Sequence, residues 1–475
     1  MKNNYRLKVM CLLCMITAAF SSCKKSELAE EKSLTNNHNA LAGFGRDGKN
    51  DLLGYGYNVL GEFGNASATT LPVIDVDKLQ ADQSNRVIWD LSTRTDGKLE
   101  AGSDAVSYLK KFTSRFSSTF GADFLGLSLF RTTITGSYNT TDNFSSKKIY
   151  SSYNLMVQQK RVKLNAQRDV LLSYLDSEFL SYIQNQTPED IVNRYGTHIL
   201  AEIILGGKLD VIYQSETSKS DRTVASSAGI DIHVKKIFNV STGYTSDNNY
   251  VLENSSQKLH YVTNGGDPTR SLQGDIVIGN SSNPNPTPTI NIAAWQNSCS
   301  LENSVLIDIP TNGLLPIYDF IPDQAKALAV KNYIIQYLNN NQAKLDPTIF
   351  YEYYNQVTNR HAYSSEPNQE QYWPNYYHNA EPFKVYATQY AGSVPLYQFY
   401  NPSFDNRVLT TNRYPGFSGY NYDGILCYVY QYPTMGTVPV YEFYSASGGH
   451  LYTTNRNASF PGWRYNGQPF HAFPN

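Results

Sequence analysis

Apolar residues recur at helical spacing in two places. Over Gln167 to Ile183 they form the stripe Val170, Leu171, Tyr174, Leu175, Phe179 and Tyr182, and over Gln324 to Leu338 the stripe Ala327, Leu328, Ile334, Ile335 and Leu338. Both predict amphipathic helices. Stretches rich in Ser, Thr, Tyr and β-branched residues, 149–164 and 198–214, predict long strands. A different pattern covers 228–244. Positions 228, 230, 232 and 234 are Ala228, Ile230, Ile232 and Val234, while Gly229, Asp231, His233 and Lys235 lie between them. Beyond Lys236, Phe238, Val240, Thr242 and Tyr244 alternate with Asn239, Ser241 and Gly243. Two arms of period two around a charged tip predict a hairpin with one apolar and one polar face, and about 9–11 residues per arm suffice for a tilted strand to cross a bilayer. An ordinary half-buried hairpin of a soluble sheet alternates in the same way. Phe112, Phe116, Phe120 and Phe124 recur every four residues. That spacing aligns them on one face of a helix and, four being even, on one face of a strand. Gly121-Ala-Asp123 then breaks the phase, and an amphipathic helix remains the plain alternative.

The C-terminal part is built on a repeat. Phe350-Tyr-Glu-Tyr-Tyr354, Leu396-Tyr-Gln-Phe-Tyr400 and Val440-Tyr-Glu-Phe-Tyr444 are each followed by a second strand signal, His361–Ser365, Val408–Thr411 and His450–Thr454. Each unit closes on a third, Pro382–Tyr386, Leu426–Tyr430 and Pro469–Phe473. Units that cannot bury a face alone predict an all-β module closed with pseudo-threefold symmetry, with repeats at about 347–392, 393–437 and 438–475. Of 38 tyrosines, 21 lie after residue 346, so the two halves are built differently. Tyrosines at alternate strand positions read mainly as core and rim packing. Trp373, Tyr420 and Trp463 fall in the Pro/Gly-rich turns and, with His450, are the candidates for a ligand surface, since aromatic platforms suit sugar faces.

Charge narrows the partners. Lys+Arg 39 against Asp+Glu 41 gives a net charge of -2 without a basic run, which supplies neither the field nor the counterion release of nucleic-acid binding. Lys2, Arg6 and Lys8 precede an apolar run from Val9 to Phe20, and Ser21-Ser22-Cys23 follows it. This is an export signal over 1–22. The small residues before Cys23 resemble a bacterial lipobox, which implies diacylation of Cys23, while a plain secretory signal is the alternative. Cys11 and Cys14 lie within the discarded segment, and Cys299 and Cys427 leave room for one bridge and no disulfide framework. Residues 23–50 are polar and read as a tether. No later stretch has the roughly 18 apolar residues of a spanning helix.

Asn193-Arg-Tyr-Gly-Thr-His-Ile-Leu200 with Leu205-Gly-Gly-Lys-Leu209, after Thr187-Pro-Glu-Asp-Ile-Val192, resembles the signature of the membrane attack complex/perforin (MACPF) family. Leu53–Val59, Pro72–Asp75, Trp295 and Leu315–Asp319 fit the same pattern. The resemblance covers 51–340 and implies an α+β fold. Its core is a bent, twisted four-stranded antiparallel sheet, flanked by helical clusters that unfurl into β-hairpins and join neighbouring subunits in a barrel. It places the signature residues Tyr195, Gly196, Thr197 and His198 at the entry to the central sheet, and Gly206 and Gly207 near its bend. Glycines tolerate strong coil and a change of it. The membrane-inserting hairpins fall on the Phe112–Phe124 window and on the window with Ile230, Ile232, Val234, Phe238 and Val240. His198 has no Ser, Cys or carboxylate spaced to partner it and reads as structural.

The pairing of such a domain with a Tyr-rich tail resembles lipoproteins of gut Bacteroidetes, some of which kill related bacteria. The expected protein is an outer-membrane lipoprotein, surface-exposed or released, that forms pores after its tail binds a glycan or outer-membrane protein. Its partners are a target bilayer and copies of itself. No enzyme activity, cofactor, metal or nucleic acid is expected. The alternative is a non-lytic adhesin or glycan-binding lipoprotein on the same fold. A glycoside hydrolase, which needs paired carboxylates in a cleft, is a distant third, because Glu352, Glu442 and Asp423 occupy repeat-equivalent or turn positions.

Overall fold

The computed structural model describes residues 49–116, 128–138, 143–279 and 286–475. Cys23, Phe120 and Phe124 lie outside them. Residues Leu52–Asn475 make one compact unit.

Its frame is an antiparallel sheet. Strands β1 (Val87–Asp90) and β2 (Arg94–Gly102) pair in turn along β3 (Lys148–Leu164), which pairs with β4 (Glu202–Thr217). On the far side of β4 lie β5 (Asn254–Asn264), with β6 (Gln273–Val277) at the edge, and further along β7 (Val305–Asp308). The short strands share the two long ones, so the sheet is four strand positions wide with β6 as an added edge. Glu202–Thr217 is nearly all buried because helices cover both faces. Such strands lose the polar alternation of a half-exposed sheet.

The predicted strand 198–214 is two strands. His198–Leu200 belongs to a separate four-stranded sheet with Tyr55–Tyr57, Thr69–Pro72 and Leu314–Pro316. The chain changes sheets at Ala201, whose N–H donates to the Gly313 carbonyl while its own carbonyl accepts from Leu164 N. The predicted helix 167–183 is broken as well. Leu175 is extended, and Asp176 caps a new helix, α2 (Ser177–Asn185), by accepting from Glu178 N and Phe179 N. The last predicted helix runs Gln324–Asn340 but buries Val330, Ile334 and Leu338. Leu328 and Ile335 are exposed, because only one narrow side meets the core.

Residues 222–238 are not a hairpin in this state. They form a helix, α4 (Arg222–Phe238), capped by Asp221, whose carboxylate accepts from Val224 N. The helix lies against the sheet so closely that a Cβ on Gly229 would run into the Tyr213 ring.

The tail is three sheets of three strands. Each has its first strand in the middle: Thr348–Asn355, Val394–Asn401 and Val438–Ser445. Phe350, Tyr363, Leu396, Leu409, Val440 and Tyr452 meet in one shared core. Bridges Tyr386–Tyr428, Tyr430–His471 and Lys384–Phe473 link the blades in a closed cycle. Cys427 is buried in this core and Cys299 lies beside β4; both are free thiols, so no bridge joins them.

Candidate functional site

The signature residues form a splice between helix and sheet. Helix α3 (Pro188–Tyr195) starts with a capping box from Thr187 and Asp190 and ends at Gly196, whose φ of 73° is the left-handed region. A Cβ there would strike the Tyr57 backbone. Thr197 Oγ1 accepts from Val59 N at 3.2 Å and donates to the Tyr57 carbonyl at 3.2 Å. His198 is buried, with Nδ1 3.0 Å from Thr197 Oγ1, and burial pushes its pKa down to about 3. Thr197 ties its segment to Tyr57–Val59, and the neutral His198 ring packs behind it. The segment enters the small sheet, not the long central one.

Gly206 and Gly207 lie where β4 changes neighbours. Its partner is β7 up to Gly206 and β5 from Lys208 onward. Opposite them Gln159 is bulged out of β3, between Gln158 paired with Gly206 and Lys160 paired with Leu205. A Cβ on Gly206 would overlap the Val157 carbonyl oxygen, and one on Gly207 the Cys299 sulfur. One residue on, Lys208 and Asp210 form a buried ion pair of 2.9 Å, and Lys208 Nζ also donates to the Phe63 carbonyl.

The two windows expected to insert lie on opposite faces of the sheet. Helix α1 (Ala105–Thr113) rests on one face, with Tyr108 Oη donating to Ser152 Oγ. Phe112 and Phe116 are fully buried there in a ring cluster with Phe63 and Phe130. Helix α4 covers the other face, where the Ser226 carbonyl accepts from Ser151 Oγ. Ile230, Val234 and Phe238 are buried against Tyr153, Leu209 and Val211, whereas Ile232 and Val240 are only half-buried. The helix also buries polar groups. Asp231 accepts from Lys235 Nζ at 2.9 Å and from the Thr242 hydroxyl. His233 Nε2 lies 2.9 Å from Gln257 Oε1, and burial lowers its pKa.

The MAC/Perforin domain family matches residues 37–346, about two thirds of the sequence. The chain belongs to the MAC/Perforin family. A domain of unknown function, DUF5648, matches 349–473. No curated protein matches. Among solved structures, a putative cell invasion protein with a MAC/Perforin domain from Bacteroides thetaiotaomicron is 17% identical, with TM-score 0.49, over 78% of this chain and 71% of that one. GNIP1Aa from Chromobacterium piscinae is 14% identical, with TM-score 0.48, over 90% and 82%. The long sheet, with α1 and α4 on its two faces, lies within the matched region.

In this MAC/Perforin chain both helices are anchored at one point. Segment 143–147, the exit of the first window, pairs in parallel with Lys344–Asp346, the linker to the tail. Arg222, the first residue of α4, donates to the carbonyls of Ser103, Ser146 and Lys147 at 3.0, 2.9 and 2.8 Å. The tail adds Ala387 N, which donates to Ser146 Oγ, and Glu366, 3.8 Å from Lys147 Nζ. Burial raises the Glu366 pKa, and Lys147 opposes that rise. None of these residues stood out in the sequence. The weak signal is that Arg222 is the sole arginine between Arg194 and Arg270.

The tail candidates differ from the expectation of exposed platforms. Trp373, Tyr420 and Trp463 are half-buried. Trp373 packs edge-on to Tyr353 with the Arg407 guanidinium 5.8 Å from its ring, and Trp463 packs edge-on to His361. The Tyr420 hydroxyl accepts from Asn406 Nδ2 at 2.6 Å. His450 Nδ1 lies 2.6 Å from Glu442 Oε1, as His361 Nδ1 lies 2.5 Å from Glu352 Oε1. Trp463 against His361 and Arg407 against Trp373 join neighbouring blades, whereas the other contacts pin a turn or strand within its own blade. The aromatics open to solvent are others, among them Tyr414, Tyr432 and Tyr422. Among the described residues no group of three metal-ligating side chains converges, and no helix is long and apolar enough to cross a membrane.

Proposed function

We propose that this is an exported, Cys23-lipidated pore-forming protein of antibacterial type. Its C-terminal module holds a glycan or protein on a target cell, and α1 and α4 with their flanking segments convert to β-hairpins in an oligomeric barrel. Its action is conformational and involves no covalent chemistry. The observation that carries this reading is the mismatch between α4 and its own sequence. As a helix the segment contains Gly229 and the β-branched Ile230, Ile232 and Val234, which lower helix propensity. It buries Asp231 and His233 while leaving Ile232 half-exposed. As a strand, the same residues sort without exception, with Ala228, Ile230, Ile232 and Val234 on one face and Gly229, Asp231, His233 and Lys235 on the other. A lipid-facing and a lumen-facing side require that division. Closing a barrel pairs every edge, which is what a strand in lipid needs.

Dye-loaded vesicles made from target outer-membrane lipids test the reading. The mature chain is expected to release dye and to leave rings visible by electron microscopy. Binding without leakage or rings would favour the adhesin alternative. Cys23→Ala is expected to move the protein from the washed membrane fraction to the soluble one; retention in the membrane would count against the lipid anchor.

A further inference from the structure

A cleft of about 820 Å³ opens between the C-terminal module and the first turns of α1 and α4. Pockets of this size between domains commonly hold ligands. Its walls come from three places. Ser107 and Lys110 face it from α1, residues 217–223 from the approach to α4, and Glu366, Thr388 and Tyr422 from the tail. It touches the anchor described above, since Arg222 and Glu366 are in its lining.

The wall chemistry selects among ligand classes. An anion such as phosphate needs converging free cations. Here Arg222 is taken by three carbonyls, Lys219 by Glu253 at 2.5 Å, and Asp104, Asp221 and Glu366 put carboxylates on the walls. Of the three cations, Lys110 is left without an ion pair or a carbonyl partner among the described residues. An acyl chain would set hydrocarbon against these carboxylates and against the unpartnered Thr388 hydroxyl. A neutral saccharide brings hydroxyls that suit the carboxylates and Thr388 and a face that suits the Tyr422 ring. Tyr422 stands 43% exposed with the Arg413 guanidinium 3.6 Å from its ring centre, which fixes it as a rigid platform. Thr388 is 94% buried at the wall, and its hydroxyl, closed to solvent as placed, has no hydrogen-bond partner among the described residues. A buried hydroxyl left unmatched is a cost, and a turn of the side chain toward the cleft would let a polar ligand remove it.

We infer that this cleft is a saccharide site, so that the module's target glycan is held against the anchor of both convertible helices. The inference rests on the reading that the module recognises a glycan, and it moves recognition away from the turn aromatics. The repeat supplies an internal control. Tyr465 stands opposite Phe443 as Tyr422 stands opposite Phe399, is 47% exposed and has Arg456 at 4.5 Å, yet lies outside the cleft.

The test uses the full mature chain and a panel of neutral tri- to hexasaccharides built on glucose, galactose, mannose and N-acetylglucosamine, with inorganic phosphate as the anionic comparison. At least one oligosaccharide is expected to bind. Tyr422→Ala should weaken it about tenfold or more, as loss of one stacking platform does. Thr388→Val should weaken it severalfold at an unchanged melting temperature, Thr388→Ser should restore it, and Tyr465→Ala should leave it intact. Equal binding by Tyr422→Ala and wild type, or loss in Tyr465→Ala, would overturn the cleft while leaving glycan recognition standing. Binding of phosphate in preference to every saccharide would overturn the ligand class. Attachment to target cells with no saccharide bound would overturn both the cleft and the glycan reading.

Discussion

Replacing Ile232 with Lys separates the helical state from the inserted one. In α4 the Ile232 side chain is half-buried. Losing about half of a full isoleucine burial costs on the order of 1 kcal/mol, and part of that returns because the lysine stem covers the same surface and lysine is the better helix former. In the hairpin the position shares the lipid face with Ile230 and Val234, three residues from Lys235 at the tip. A strand tilted about 45° descends roughly 2.4 Å per residue, so Ile232 lies about 7 Å below the tip, between interface and midplane. A lysine there costs about 1–3 kcal/mol per subunit. Repeated in every subunit of a ring, that cost should suppress insertion while the melting temperature of the monomer barely moves. Ser227 is the matched control, half-buried in the helix but of lumen parity as a strand. Ser227→Lys should therefore insert and alter only conductance. His233→Lys, also of lumen parity, does not serve, because His233 is buried against Gln257 and the charge would unfold the helix. The assay is dye release from vesicles against thermal melting for the two lysine variants. Equal leakage by both, or failure of Ile232→Lys through unfolding alone, would refute the assignment of lipid and lumen faces.

Three other outcomes follow from the geometry. Arg222→Met strands three carbonyls at about 1–3 kcal/mol for the buried ones, and amide exchange at 143–147 and in α4 should speed up before the sheet does; uniform acceleration would mean that the residue is not a local anchor. Gly206→Ala should lower the melting temperature sharply, because the obstructing atom is a backbone oxygen of β3 that cannot move aside, and a neutral effect would place the bend elsewhere. Burial holds His198 near 3 and His233 below its ordinary value. Both therefore stabilise the fold fully above about pH 6.5 and lose that contribution as pH falls toward the folded values. His198 alone accounts for about 2 kcal/mol between pH 7 and 5, so the melting temperature should fall over that window, and less so in His198→Asn.

Repetition made the tail legible. Leu396 and Val440 recur in the place of Phe350, and all three meet in one core. The period-two pattern of 228–234 was equally plain, yet it describes a strand that the described state does not contain. Packing against Tyr213 and the caps at Asp221 and Asn239 override it locally. The break at Ala201 left no mark, because its cause is a backbone exchange with Gly313 and Leu164. The anchor is invisible for the same reason. Arg222 reaches carbonyls more than 70 residues away, and a carbonyl is the same in every residue. The half-burial of the turn aromatics was not legible either, because a large ring beside Pro and Gly reads the same whether it faces solvent or packs within the module.

These features also suggest where a barrier to conversion lies. Asp231 is satisfied in the helix by Lys235 and Thr242, and His233 Nε2 by Gln257, but His233 Nδ1 is buried without a partner among the described residues; on the lumen face of the proposed barrel water would satisfy all of them. The polar residues of α4 therefore give the helix little advantage, and His233 counts against it. The apolar ones leave the contacts of the sheet for lipid, which is also apolar, so their balance is small as well. What has no counterpart in a barrel is the anchor, in which three carbonyls converge on one guanidinium and the linker strand 344–346 pairs with 143–145. In the proposed conversion both must break before either window extends. A trigger acting at this point through the tail would then govern the two helices together, although they lie on opposite faces of the sheet. The height of that barrier would depend on how firmly the tail is seated.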